Sequence, residues 1–195
     1  MIVKKNSVNP VLYDGSLCAM SVDPGVRGTG IAIWEYQVQH PDAKSATEVA
    51  LIDSFNLMPE GGSNSWLGIS RQLFDDFEKI FSMYKIIRVD SEFPQFFGSA
   101  GGHSTAASGD LQKLTFIVGV FASQSWQNGA LYYPWEVNDW KGQMPKEAVI
   151  KALQRRIDPA ILTEINPQSH SWDAIGIGMH AHGKFINPVK EKHVY

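Results

Sequence analysis

Leu17-Cys18-Ala19-Met20-Ser21-Val22-Asp23 is a nearly continuous apolar run that ends in a carboxylate. Such a run suits a strand covered on both faces. Pro24 to Gly30 follows as a glycine-rich turn, and Ile31-Ala32-Ile33-Trp34 reads as a second strand. A parallel crossover would need a dozen or more residues, so this short link implies an antiparallel hairpin. The chain therefore opens with a buried hairpin that carries an acid, Asp23, at the rim of its sheet.

The pattern downstream extends that sheet. Residues 39–47 are polar and contain Pro41, so they read as a loop, and Val49 to Phe55 forms a third strand. Trp66, Ile69, Leu73, Phe77, Ile80 and Phe81 recur at three- and four-residue steps, with Asp75, Asp76, Glu78 and Lys79 between them. That spacing predicts an amphipathic helix. Ile86 to Phe93 is a fourth strand with acids near its end, and the glycine-rich stretch from Phe96 to Asp110 is expected to be a loop. Leu111, Leu114, Val118 and Phe121 fit a helix, and Leu131 to Val137 a fifth strand. Pro134 cannot donate to a ladder, which puts that strand at an edge. Pro145 opens another helix, and a last one spans Ser171 to His182. The order β-β-β-α-β-α-β-α-α predicts an α/β fold with a mixed sheet.

Composition bounds the rest. With 195 residues, one domain is expected, with 1–16 as a loose leader and 184–195 as a loose tail. Hydrophobic residues make up 44% and charged residues 19%, which excludes a disordered chain, a collagen and a coiled-coil rod. No apolar run approaches the ~18 residues of a membrane span, and the N-terminus lacks the pattern of a secretory signal. Cys18 is the single cysteine, so no internal disulfide forms; it reads as a buried strand residue in a reducing, cytoplasmic compartment. The net charge of −3 argues against a protein that coats nucleic acid but leaves room for a nuclease with a local basic face.

Three acids stand at element ends: Asp23 ends the first strand, Glu92 ends the fourth and Asp173 opens the last helix. Each alone reads as a cap or a solvated end. Converging, they would repel one another, and a hard divalent cation with a preference for oxygen would remove that penalty. Asp90 and Glu92 are two apart on a strand and share a face, so either can be the second acid. His170 and Asp173 face the same way on one helical turn. Gly28 and Gly30 would let a phosphate or a metal approach, while Gly176 and Gly178 suggest close packing of the last helix. Asp53 and Asp110 are weaker candidates, read as solvated.

The segment Ser21-Val22-Asp23-Pro24-Gly25-Val26-Arg27-Gly28-Thr29-Gly30-Ile31-Ala32 closely resembles the first motif of RuvC-type Holliday-junction resolvases, of the ribonuclease-H-like superfamily. Val89-Asp90-Ser91-Glu92 resembles the strand that ends in the family's catalytic glutamate. His170-Ser171-Trp172-Asp173-Ala174-Ile175-Gly176-Ile177-Gly178 resembles its closing motif, with Asp or His three residues before a catalytic Asp. The three occur in family order and span Leu17 to His182. The resemblance implies a five-stranded mixed sheet of the ribonuclease-H type, its first three strands antiparallel, with helices on both faces.

The resemblance also implies an endonuclease that hydrolyses phosphodiesters in four-way and other branched DNA. Asp23, Glu92, His170 and Asp173 would hold two Mg²⁺ or Mn²⁺ ions, with Asp90 as the runner-up to Glu92. One ion would activate water and the other stabilise the leaving 3′-oxygen. Of the aromatic pair Phe96 and Phe97, Phe96 would stack on bases. From Lys141 to Arg156 there are five basic residues against one acid, and Lys141 and Lys146 resemble the family's phosphate contacts. Arg27 is a further phosphate candidate; Lys151 and Arg155 read as solvated; Lys184, Lys190 and Lys192 would add a non-specific grip. His180 and His182 stand where the family has a histidine pair, and helix capping explains them equally well. A homodimer is implied, for which the helix with Leu111, Leu114 and Phe121 offers a face if it is not core. The competing readings are a ribonuclease H acting on RNA–DNA hybrids and a non-catalytic binder of branched DNA. An actin-like ATPase would need two such domains. The longer leader and the loop at 39–47 fit a divergent, viral or organellar branch.

Overall fold

The computed structural model describes residues 16–37, 48–59, 66–94 and 109–183. It contains strands β1 (Leu17–Asp23), β2 (Thr29–Gln37) and β3 (Glu48–Leu57), helix α1 (Trp66–Met83), strand β4 (Lys85–Phe93) and helix α2 (Asp110–Gln127). Strand β5 (Leu131–Glu136) follows, then helices α3 (Val137–Trp140), α4 (Lys146–Gln154), α5 (Pro159–Ile165) and α6 (Ser169–Ala181). The five strands form one sheet in the order β3-β2-β1-β4-β5. β1 pairs antiparallel with β2, and β2 with β3. β4 runs parallel to β1, and β5 parallel to β4.

Period-two alternation divides the core between the two faces of the sheet. Cys18, Met20, Val22, Ile31 and Ile33 point to one side, where Phe77 of α1 and Phe121 of α2 complete the cluster. Those two rings stack with centroids 4.2 Å apart. Ala19, Ala32 and Trp34 point to the other side and meet Ala174, Ile175 and Ile177 of α6, Trp140 of α3, and Val149 and Leu153 of α4. Helices thus cover both faces of a mixed sheet, as the strand pattern and the resemblance predict. Cys18 is fully buried in the first cluster, and burial pushes its thiol up to about 11.

The positions of the strands decide where the acids lie. Val22 of β1 is paired with Ser91 of β4, so the next residues, Asp23 and Glu92, come out together at the carboxyl ends of two parallel strands. Crevices at such ends are where α/β sheets bind ligands. β5 is an edge strand, as Pro134 requires.

Some elements differ from expectation. Pro145 is the N-cap of α4 rather than its first residue, and α6 begins at Ser169. Helices α3 and α5 were not expected: four and seven residues are too short to show periodicity. The expected leader, the loop at 39–47, most of the glycine-rich loop with Phe96 and Phe97, and the tail with Lys184, Lys190 and Lys192 lie outside the described residues. Among the described residues no helix is long and apolar enough to cross a membrane.

Candidate active site

Asp23 is 8% exposed at the end of β1, and its Oδ2 lies 2.9 Å from Nδ1 of His170. The contact depends on how closely α6 approaches β2. A Cβ on Gly30 would lie 2.1 Å from the carbonyl oxygen of His170, so only glycine lets the first turn of α6 rest on the strand. Ser171 then donates its hydroxyl to Oδ1 of Asn56 on β3 at 2.8 Å, which anchors the same turn. Further along the helix, Gly178 makes room for the Trp34 indole and Gly176 for the Trp140 ring.

The sequence left Asp90 and Glu92 as rivals, and they have different surroundings. Asp90 is 1% exposed and accepts two hydrogen bonds from Arg88, at 2.7 and 2.8 Å, and one from Trp135 Nε1 at 2.8 Å. Its charge is already answered inside the protein. Glu92 accepts one hydrogen bond, from Trp140 Nε1 to Oε2 at 3.0 Å. Asp173, on the turn after His170, faces two ammonium groups. Lys146 Nζ contacts its Oδ2, and Lys141 Nζ stands 3.7 Å from its Oδ1. That Oδ1 is buried and has no hydrogen-bond partner among the described residues.

The electrostatics show that the acids sense one another. Burial, then the charges of Asp23 and Asp173, push Glu92 up to about 7, against the pull of Lys141 and Trp140. Burial also raises Asp23 above the usual carboxylate range; His170 opposes that shift and Asp173 adds to it. The hydrogen bond to Asp23 raises His170. Mutually raised carboxylates beside an imidazole are an all-oxygen and nitrogen donor set that suits a hard divalent cation. Among the described residues, no three acid or histidine side chains stand close enough to grip one ion together. As the side chains stand, Lys146 and Lys141 pair with Asp173, and His170 contacts Asp23.

Neither the protein-family models nor the curated proteins include a match. Solved structures do match. The structure of Thermus thermophilus RuvC aligns with a TM-score of 0.60 at 19% identity, over 84% of this chain and 92% of that one. T. thermophilus RuvC in complex with a Holliday junction substrate aligns with the same TM-score at 16% identity, over 88% and 99%. A yeast mitochondrial Holliday junction resolvase aligns with a TM-score of 0.53 at 10% identity, over 89% and 80%. The fold is that of RuvC.

On this RuvC fold, Asp23, Glu92, His170 and Asp173 lie at one end of the central strands, with Lys141 and Lys146 beside them. Arg27 is exposed on the turn after Asp23, while Lys151 and Arg155 are exposed on and after α4. Other expectations need correction. Gly30 receives the helix backbone rather than a ligand, and Gly28 faces Met58 and the His170 ring. His180 does not cap α6: it is 2% exposed, with its ring edge-on to Trp135. The His182 ring packs against Trp34 and Tyr36. Of the two readings of the helix with Phe121, that residue takes the core one: it is fully buried. Asp53 is tied to Tyr84 Oη at 2.8 Å, and Asp110 to Lys113 Nζ at 2.8 Å, so neither is simply solvated. Sequence reasoning missed Trp140, whose indole reaches Glu92. Its place just before Lys141 was the available signal.

Proposed function

We propose that this chain is a metal-dependent endonuclease that resolves four-way DNA junctions, with other branched DNA as further substrates. What supports the reading is that Asp23 and Glu92 emerge together from parallel strands, that Asp23 contacts His170, and that Glu92 feels the charges of Asp23 and Asp173. The likeness to T. thermophilus RuvC bound to a Holliday junction supports the substrate class.

Asp23, Glu92 and Asp173, with His170, would hold Mg²⁺ or Mn²⁺, two ions to a site. When bound, the ions supply an activated water and offset charge on the leaving 3′-oxygen. The protein's own part is to keep the acids together in a partly dry crevice. The hydrogen bond to Asp23 raises His170, whose side chain is 40% exposed. Lys141 and Lys146 hold Asp173 and lie where a DNA phosphate would approach; Arg27 offers a further cation. We assign Phe96 to base stacking and a homodimer to the two-fold symmetry of a junction. The protein would act where DNA is present. The reading is tested by cleavage of a labelled four-way junction, a flap, a linear duplex and an RNA–DNA hybrid, with metal or chelator. Paired, metal-dependent nicks on the junction support it, and preferential cutting of the hybrid overturns it.

A further inference from the structure

We infer that Trp140 is a positioning residue of the site: its indole N–H sets the Glu92 carboxylate, and Gly176 makes room for its ring. The inference rests on the nuclease reading above and adds a residue to it.

Trp140 is fully buried. A buried indole N–H needs an acceptor, and this one has chosen an acid 48 positions away, Glu92 Oε2 at 3.0 Å. The hydrogen bond uses one oxygen and leaves Oε1 without a partner among the described residues. The ring is fixed by close packing: a Cβ on Gly176 would lie 2.5 Å from its six-membered edge. Gly176 sits on α6, the helix that carries Asp173. The other end of the arrangement is Lys141, whose ammonium is 4.5 Å from the Trp140 ring centroid and 3.7 Å from Asp173 Oδ1. One ring thus touches the element of each of two acids.

The choice of donor matters chemically. An indole is donor-only and uncharged, so it orients a carboxylate without cancelling its charge. A lysine in that place would compete with a cation. The contrast with Asp90 makes the point: Trp135 holds it in the same way, but Arg88 also neutralises it. Trp140 therefore orients Glu92 without adding a positive charge that would compete with an ion. Loss of such an outer hydrogen bond typically weakens metal binding roughly 10- to 100-fold.

The test compares wild type with Trp140→Phe, which keeps a ring and removes the N–H. Mn²⁺ affinity is measured by titration, and thermal melting is followed in chelator. We expect Mn²⁺ binding to weaken at least about tenfold, with the chelator melt close to wild type. In a Glu92→Ala background the same substitution should change Mn²⁺ binding no further. Unchanged affinity in Trp140→Phe, or an equal loss without Glu92, overturns the proposal. If Trp140→Phe does not fold, or wild type binds no Mn²⁺ and the nuclease reading fails, the indole N–H signals of ¹⁵N-tryptophan protein decide. One should shift, and exchange faster with water, in Glu92→Ala; no movement of any indole signal overturns the pairing.

Discussion

His170 Nδ1 lies 2.9 Å from Asp23 Oδ2, although 147 positions separate the two residues. The contact joins the first strand to the last helix and closes the site. It exists because Gly30 lets α6 rest on β2.

Gly30→Ala should therefore damage the site from outside it. The added methyl would collide with the His170 carbonyl, which is backbone and cannot rotate away. Overpacking of this kind typically costs about 1–3 kcal/mol. Denaturant melts should show that loss, and junction cleavage should fall further than stability does, because His170 leaves Asp23.

The acids make the metal-free protein sensitive to pH. Glu92 is raised to about 7, and Asp23 is raised too. A raised folded pKa means that the folded state holds its proton more tightly than the unfolded one. The stabilisation is complete below the unfolded value, near 4.5 for Glu92, and is lost as pH rises through about 7. Glu92→Gln removes that charge. In chelator it should match wild type near the acid end and exceed it by roughly 1–3 kcal/mol at pH 8. Melting from pH 4.5 to 8 checks this, while cleavage by the variant should be abolished.

Lys146 and a divalent ion both seek Asp173. Lys146→Ala leaves a buried acid with only the longer Lys141 contact. In chelator the variant should lose about 1 kcal/mol, a modest loss because the Lys146 side chain is 38% exposed. Adding Mg²⁺ should raise its melting temperature more than it raises that of wild type. Equal gains in the two proteins would show that Lys146 does not stand in the cation's way.

Arg88 and Asp90 form a buried pair behind the site. Arg88→Ala strands a carboxylate that is 1% exposed, and removing one member of such a pair typically costs about 3–5 kcal/mol. Asp90→Asn should impair cleavage far less than Glu92→Gln, since Asp90 is already matched by Arg88 and Trp135. Side-by-side rates and melts of the two variants separate support from chemistry.

The parts of the fold that are legible in sequence are those with a period or a run. β1 shows as an apolar run because both its faces are covered, and α1 shows because Ile69, Leu73, Phe77 and Ile80 repeat on one face. The three acids are legible because Asp23 and Glu92 close apolar strands and Asp173 follows His170 by three residues. Contacts between distant segments are not. Lys141 and Lys146 read as phosphate contacts in the sequence, yet both reach Asp173 once α3 and α4 pack against α6. His180 looks like a helix-end residue, yet its ring lies on Trp135 in the core. Trp140 sits on a single turn of helix with no periodicity to mark it, and its partner Glu92 lies three elements earlier.

The central claim is best tested by incubating wild type and Asp23→Asn with a labelled four-way junction, in Mg²⁺ and in chelator. The account predicts paired symmetric nicks by wild type in Mg²⁺, none in chelator, and none by Asp23→Asn. Tight binding of the junction without cutting in Mg²⁺ or Mn²⁺ would contradict it and leave a DNA-structure binder. Cutting that survives Asp23→Asn would place the chemistry elsewhere.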